Sequence, residues 1–290
     1  SNGRLGQEIC KSIKMNNISD IKLISSNRDD FKVEDLDSIV DFIEKVSPDV
    51  IINCIANTNL IHCERNRDYA FSINANFIKY IAIASLNKKI TIIHFSTEHI
   101  FDGKKENPYL EIDNANPLNV YGDSKNNGEK FLIDISERFY IFRISWLISN
   151  SGENFFTKIL KRIKESDEIK VVDDQIGAPV TTEFISSIIL KILNNNLSYF
   201  LPYGIYNMTP LGYVSRYDLA TYILKFTLDK KIISSKSKKE IVRNSTIYIK
   251  NQVKYPLNCS LDSSKLINFI PFKINKWDYY FKIIIKKYLK

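Results

Sequence analysis

The sequence predicts an α/β fold, a doubly wound parallel sheet carrying a smaller C-terminal lobe, and three observations support this. Strand-like apolar runs alternate with helix-like stripes through the first half of the chain. Those runs are short and apolar throughout, as expected when helices cover both faces of a parallel sheet. A glycine-containing turn that leads into an amphipathic pattern opens the chain, the order in which phosphate-binding loops are built.

The opening Ser1-Asn2-Gly3-Arg4-Leu5-Gly6 is followed by Ile9, Cys10 and Ile13 at helix spacing. Gly3 and Gly6 then stand as the last two glycines of a dinucleotide turn, with the strand and first glycine of that pattern expected to be missing. Ile21-Lys-Leu-Ile24 reads as a short strand and Asp37 to Val46 as a helix striped by Ile39, Val40, Ile43 and Val46. Val50 to Ile55 is a strand, Tyr69 to Leu86 a helix, Ile90 to Phe95 a strand, Tyr121 to Ile135 a helix and Phe139 to Ile144 a strand. The pattern is that of a Rossmann-type domain over residues 1–150. Residues 151–290 read as a mainly substrate-binding domain, with some segments returning to the first sheet. Helices are expected there over Asn154 to Ile163, Thr182 to Leu193 and Ser215 to Leu228, with short strands at Ile169 to Val172 and Gly204 to Tyr206. The apolar and basic end, Trp277 to Leu289, reads as a docked terminal helix with snorkelling lysines rather than a membrane-surface helix.

Composition narrows the classes. The chain has 290 residues, 44% hydrophobic and 26% charged, enough for a real core. No uncharged apolar run is long enough to span a bilayer and no secretory leader is visible. Cys10, Cys54, Cys63 and Cys259 lack metal-type spacing, which suits a reducing cytoplasm. The net charge of +8 comes from scattered lysines, so it reads as a solvated face and predicts no nucleic-acid partner. His62 and His94 show no ligand spacing, Asp173-Asp174 reads as a solvated acid pair, and no metal site is placed. His99 reads as a packed or hydrogen-bonded residue.

The chemistry-bearing pattern is Tyr121-Gly-Asp-Ser-Lys125 with Ser96-Thr97 upstream. A tyrosine and a lysine four apart share one helix face. Tyrosine titrates near pH 10, and an ammonium one turn away favours the phenolate and lowers that value. Thr97, at the end of the preceding strand, can meet them. Farther forward, Ser25-Ser26-Asn27-Arg28 occupies the place where an NAD-binding chain carries an acidic residue. Small hydroxyls and an arginine suit a 2′-phosphate, so Ser26 and Arg28 favour NADPH, with NADH as the alternative.

Taken together these residues resemble the extended short-chain dehydrogenase/reductases, and within them the dTDP-4-dehydrorhamnose reductase family. The resemblance runs over nearly the whole chain. It includes Gly3-Arg-Leu-Gly6, Ser47 to Ala56 with Cys63-Glu64, Ser96-Thr97, Phe101-Asp-Gly103 and Asn116-Pro-Leu-Asn-Val-Tyr121-Gly. It continues in Arg143-Ile-Ser-Trp146, Asp174-Gln-Ile-Gly-Ala-Pro179 and Pro256 to Asp262. The resemblance implies Tyr121 as proton donor, Lys125 as its partner and ligand of the nicotinamide ribose, and Thr97 as the hydroxyl on the substrate carbonyl. It implies cofactor contacts from Gly3, Arg4, Leu5, Gly6, Ile55, Ala56 and Asn57, and substrate contacts from Glu98, Trp146 and Gln175. The implied activity is NAD(P)H-dependent reduction of a nucleotide-activated 4-keto-6-deoxysugar for surface polysaccharide, by a cytoplasmic enzyme for which a homodimer is the oligomer to expect. Two departures stand near the expected sugar pocket. Ser96-Thr97-Glu98-His99 replaces the usual Ser-Thr-Asp-Tyr, and Tyr255-Pro256 replaces a common Arg-Pro. The rival readings are an epimerase or dehydratase of the same superfamily, using Glu98 and His99, and a regulatory subunit like the β-subunit of methionine adenosyltransferase.

Overall fold

The computed structural model describes residues 2–16, 21–27, 29–194, 201–232, 239–248 and 253–288. In chain order it forms α1 (Arg4–Met15), α2 (Leu36–Val46), β1 (Val50–Asn53), α3 (Leu60–Arg65), α4 (Arg67–Phe71), a π-helical turn (Ser72–Asn76) and α5 (Phe77–Ala84). Next come β2 (Thr91–Thr97), α6 (Val120–Ile135), β3 (Phe139–Ile144), β4 (Leu147–Ile148), α7 (Phe155–Glu165), β5 (Glu168–Val172), β6 (Ile176–Gly177) and β7 (Val180–Thr181). The remainder is α8 (Thr182–Asn194), β8 (Gly204–Asn207), β9 (Val214–Ser215), α9 (Arg216–Asp229), β10 (Glu240–Asn244), α10 (Ser264–Phe269) and α11 (Trp277–Tyr288).

Four parallel strands in the order β1-β2-β3-β8 form the main sheet. Its two faces follow the period-two alternation of strand side chains. Ile93 and Phe95 of β2 and Tyr140, Phe142 and Ile144 of β3 pack toward Leu5, Ile9 and Ile13 of α1 and the apolar stripe of α8. Ile92 and Ile141 point the other way, onto Ile39 and Ile43 of α2, Ile78 and Ile81 of α5, and Leu132 of α6. α8 and β8, both beyond residue 150, thus pack in this first core.

A second core joins Phe156, Ile159 and Ile163 of α7, Ile169 of β5, Leu219 and Ile223 of α9, and Phe281, Ile284 and Ile285 of α11. Burial of the last three residues docks the terminal helix, and Lys287 pairs with Glu183 of α8 at 3.2 Å. Among the described residues no helix is long and apolar enough to cross a membrane.

Three sequence expectations need correction. Residues 21–24 are not a strand. They border a cavity of about 2240 Å³ that also takes in α1 and β1, and without a laddered neighbour an apolar run is not a strand. The expected helix from Tyr69 runs to Ala84 but contains a π-helical turn, which periodicity cannot show. Asp174 is not a solvated acid: it accepts hydrogen bonds from the Ser245 hydroxyl (2.6 Å) and from the Thr246 amide (2.8 Å) and hydroxyl (2.6 Å), while Asp173 pairs with Arg243. Strand β10, absent from the sequence reading, brings those partners alongside β5.

Candidate active site

Helix α6 is fixed at its first turn by polar groups, which places Tyr121. Asn119 is the N-cap and its Oδ1 accepts from the Gly122 amide at 2.8 Å, while Glu64 accepts from the Val120 amide at 2.8 Å. Any Cβ at Gly122 would collide with the carbonyl oxygen of His99, so glycine after Tyr121 is a steric requirement. The same contact brings His99 edge-on to the Tyr121 ring, with centroids 5.6 Å apart.

The Asn119 amide also sets the His99 tautomer. With Oδ1 committed to Gly122, Nδ2 donates to His99 Nδ1 at 3.1 Å, which leaves His99 neutral with its proton on Nε2. Burial pushes the His99 pKa down, consistent with this. His99 is therefore a packed, hydrogen-bonded residue.

Thr97 ends β2 beside Tyr121 and donates its proton to Glu98 Oε2 at 2.8 Å, while the His99 amide donates to the Thr97 oxygen at 3.2 Å. Glu98 is buried. The Tyr121 pKa is pushed up by burial and by the Glu98 charge, against a smaller pull from the Thr97 hydroxyl. The spacing argument expected a nearby ammonium to lower it. The lysine nitrogen is elsewhere: Lys125, fully buried, is turned onto β2, where its Nζ lies 2.7 Å from the Phe95 carbonyl oxygen and 2.9 Å from His94 Nε2. Burial lowers its pKa to about 8.

The 2240 Å³ cavity is lined by Gly3, Gly6, Ser25, Ser26, Ile55, Ala56 and Asn57. Gly3 caps α1 without a side-chain acceptor, so the first-turn N–H groups of the helix remain for an anion. That donor set fits a dinucleotide pyrophosphate. Asn57 is held by Asn74 of the π-helical turn, which accepts from its amide at 2.8 Å and donates to its carbonyl at 3.0 Å. Leu5 is core, and the Arg4 guanidinium donates to the Glu153 carbonyl at 2.9 Å. Neither side chain joins the cavity lining, and Arg28 lies outside the described residues.

A second cavity of about 340 Å³ is lined by Phe155, Arg162, Lys170, Gln175, Arg216 and Tyr255. Trp146, at a φ of 20°, packs over Gly177, where a Cβ would lie 2.6 Å from the indole. That contact is the reason for glycine in Gln175-Ile-Gly177. The Gln175 amide donates to the Thr246 hydroxyl at 3.0 Å. The Arg216 guanidinium stacks on the Trp146 ring at 3.6 Å. Among the described residues it has no hydrogen-bond or ion-pair partner, and burial lowers its pKa to about 10 against the opposing pull of Glu98. Sequence reasoning missed Asn53, Asn74, His94 as a site residue, Asn119 and Arg216. A signal was present only for Asn119, which precedes an apolar residue and the helix as an N-cap does.

Comparisons with known proteins agree on one family. The family model described as the RmlD substrate binding domain matches residues 1–290. A dTDP-4-dehydrorhamnose reductase of Aggregatibacter actinomycetemcomitans is 30% identical over 276 residues, 95% of this chain and 92% of that protein. The crystal structure of a dTDP-4-dehydrorhamnose reductase from Clostridium acetobutylicum superposes with a TM-score of 0.89 at 28% identity, covering 100% of this chain and 97% of the other. The Bacillus anthracis dTDP-4-dehydrorhamnose reductase, in complex with NADP, gives a TM-score of 0.88 at 25% identity over 99% and 96% of the two chains.

Proposed function

The chain belongs to the RmlD substrate binding domain family, and from that premise we propose that it is an NADPH-dependent reductase of dTDP-4-dehydrorhamnose or a close nucleotide 4-keto-6-deoxysugar. The observation that supports the reading is Tyr121 at the first turn of its helix, hydrogen-bonded to Thr97 and beside Glu98, in a chain that also carries a large cavity bordered by Gly3 and Gly6 and a smaller cationic one lined by Arg216. When bound, the dihydronicotinamide supplies a hydride to the ketone carbon. The protein supplies the proton and the orientation. Tyr121, kept protonated by burial and by Glu98, gives its proton to the ketone oxygen as the C–O bond becomes an alcohol. Thr97 turns its hydroxyl from Glu98 to the same oxygen. Arg216, a half-buried cation whose guanidinium has no hydrogen-bond partner among the described residues, meets the diphosphate that links nucleoside and sugar. It does there what the family's Arg-Pro arginine cannot do in a chain with Tyr255 at that place.

Ser26 and Arg28 give the preference for the 2′-phosphate of NADPH. The free thiols Cys10, Cys54, Cys63 and Cys259 suit a cytoplasmic enzyme, acting as a homodimer in this reading. The test is NADPH oxidation with dTDP-4-dehydrorhamnose and a panel of other nucleotide 4-keto sugars, repeated with NADH and with Arg28→Ala. No oxidation with any of them would overturn the reductase assignment. Equal affinities for the two cofactors, unchanged by the substitution, would overturn the role of Arg28.

A further inference from the structure

A buried hydrogen-bond chain behind Lys125 has a donor count that fits only one charge state. The Ile55 amide donates to Asn53 Oδ1 at 3.0 Å. Asn53 Nδ2 lies 3.1 Å from His94 Nδ1, His94 Nε2 lies 2.9 Å from Lys125 Nζ, and Nζ lies 2.7 Å from the Phe95 carbonyl oxygen. Asn53, His94 and Lys125 are all buried. The Ile55 N–H can only donate, so Asn53 presents its oxygen there and its NH₂ to His94. Nδ1 must then accept, and neutral His94 carries its proton on Nε2, aimed at Lys125. An ammonium has no lone pair to receive it. A free amine does, and still donates to Phe95. Turning the Asn53 amide over moves the conflict without removing it, because its nitrogen would then face the Ile55 N–H. A buried donor–donor contact leaves both groups unsatisfied, which folded proteins avoid.

We propose that Asn53 and His94 are positioning residues that store Lys125 as a free amine against β2, so that the lysine gains its proton as it leaves His94 for the cofactor cavity. The proton comes from solvent: R–NH₂ and H⁺ give R–NH₃⁺, with no other bond changed. The other titratable groups around Lys125 are Glu129 on its own helix, already bound to Arg143 of β3, Tyr121 one turn back, and Cys54 beyond β1. Cys54 is pushed up to about 12 by burial and stays a thiol. Of these Glu129 opposes the lowering of the Lys125 pKa, and its carboxylate is already hydrogen-bonded to Arg143. The storage of the amine stands on the hydrogen-bond chain alone. Only its coupling to dinucleotide rests on the reductase reading.

The experiment is NMR titration of the isotope-labelled, cofactor-free protein, with Lys125→Arg identifying the lysine signal. Lys125 should titrate near pH 8, apart from the exposed lysines near about 10.4. Above that midpoint His94 should carry its proton on Nε2, and as the pH falls through it the tautomer should switch to Nδ1–H. In Asn53→Asp, which offers an acceptor to both neighbours, His94 should stay in the Nδ1–H form and the Lys125 midpoint should rise by at least about one pH unit. A Lys125 that titrates with the surface lysines, or a His94 tautomer indifferent to it, overturns the proposal using the wild type alone. Calorimetry of NADPH binding at about pH 9, in two buffers of different ionisation heat, should show close to one proton taken up by the wild type and none by Asn53→Asp. Binding without proton uptake overturns the coupling. Absence of NADPH binding counts against the reductase reading, while the tautomer still decides the storage of the amine.

Discussion

Desolvation and the neighbouring Glu98 charge hold the proton on half-buried Tyr121, so the acid role proposed for it can be isolated by removing one oxygen. Tyr121→Phe should lower turnover by about 10²–10⁴-fold while leaving the NADPH-induced rise in melting midpoint in place. Unchanged turnover would sink the assignment. Arg216→Gln should act on binding instead: losing a charge-assisted contact worth about 1.5–3 kcal/mol raises KM for the nucleotide sugar tenfold or more, with kcat little changed. Lys125 makes the pH prediction. Its folded pKa, about 8, lies below the unfolded value of 10.5, so the unfolded chain binds the extra proton between them and stability rises with pH through that window. The slope from this one group is at most about 1.4 kcal/mol per pH unit. Denaturant unfolding at intervals from pH 7.5 upward, wild type against Lys125→Met, should show the difference, because the buried cysteines and tyrosines cancel in the comparison. Identical slopes would mean that Lys125 titrates alike in both states. The meeting of Tyr121 with Thr97 was legible in the sequence because one helix start and one strand end carry them, whereas the turn of Lys125 onto β2 was not. Asn53, His94 and Arg216 were not, since each matters only through partners that three separate elements bring to it.

At the scale of elements, α6 depends on a buried ion pair more than on its own amphipathicity. Glu129 receives Arg143 of β3 through Nε at 3.1 Å and 3.2 Å and through a terminal nitrogen at 2.7 Å, and the guanidinium also lies over Phe101. The pair ties the helix that carries Tyr121 and Lys125 to the strand that leads to Trp146. Glu129→Gln leaves a buried guanidinium uncompensated, so unfolding by denaturant should show a loss of about 3–5 kcal/mol. A loss below about 1 kcal/mol would mean that water already reaches the pair. The long helices were visible in sequence because each buries a stripe at period 3.6, as α2 and α9 do. The two-residue strands β4, β6, β7 and β9 leave no periodic trace, and residues 21–24 show the converse, an apolar run without a ladder.

At the scale of the molecule, the sheet ends at β1, and the outer side of that strand faces the 2240 Å³ cavity between α1 and residues 21–27. Ile21 and Leu23, with Ile52 and Cys54 opposite, are only partly buried, although they pack on the same core as Ile9 and Ile13. β1 has no strand partner on this side among the described residues, and that open edge with these half-covered side chains describes a slot for one more strand. The doubly wound topology was legible from the alternation of patterns. The size of this slot was not, because it depends on how far residues 21–27 stand from β1. An apolar segment of about six residues ending in glycine, fused ahead of Gly3, should enter the slot in parallel with β1 and complete the anion cradle at α1. Burying each added Val, Ile or Leu contributes about 1.5–3 kcal/mol before the entropy of ordering the segment is subtracted. The melting midpoint of the extended chain should therefore exceed that of the 290-residue chain. NADPH at a hundred times its Kd should add about 2.7 kcal/mol to either form, so the cradle shows itself as the lower concentration at which the extended form reaches that gain. If both chains melt together and respond to NADPH alike, the slot takes no strand and Gly3 and Gly6 do not hold the pyrophosphate.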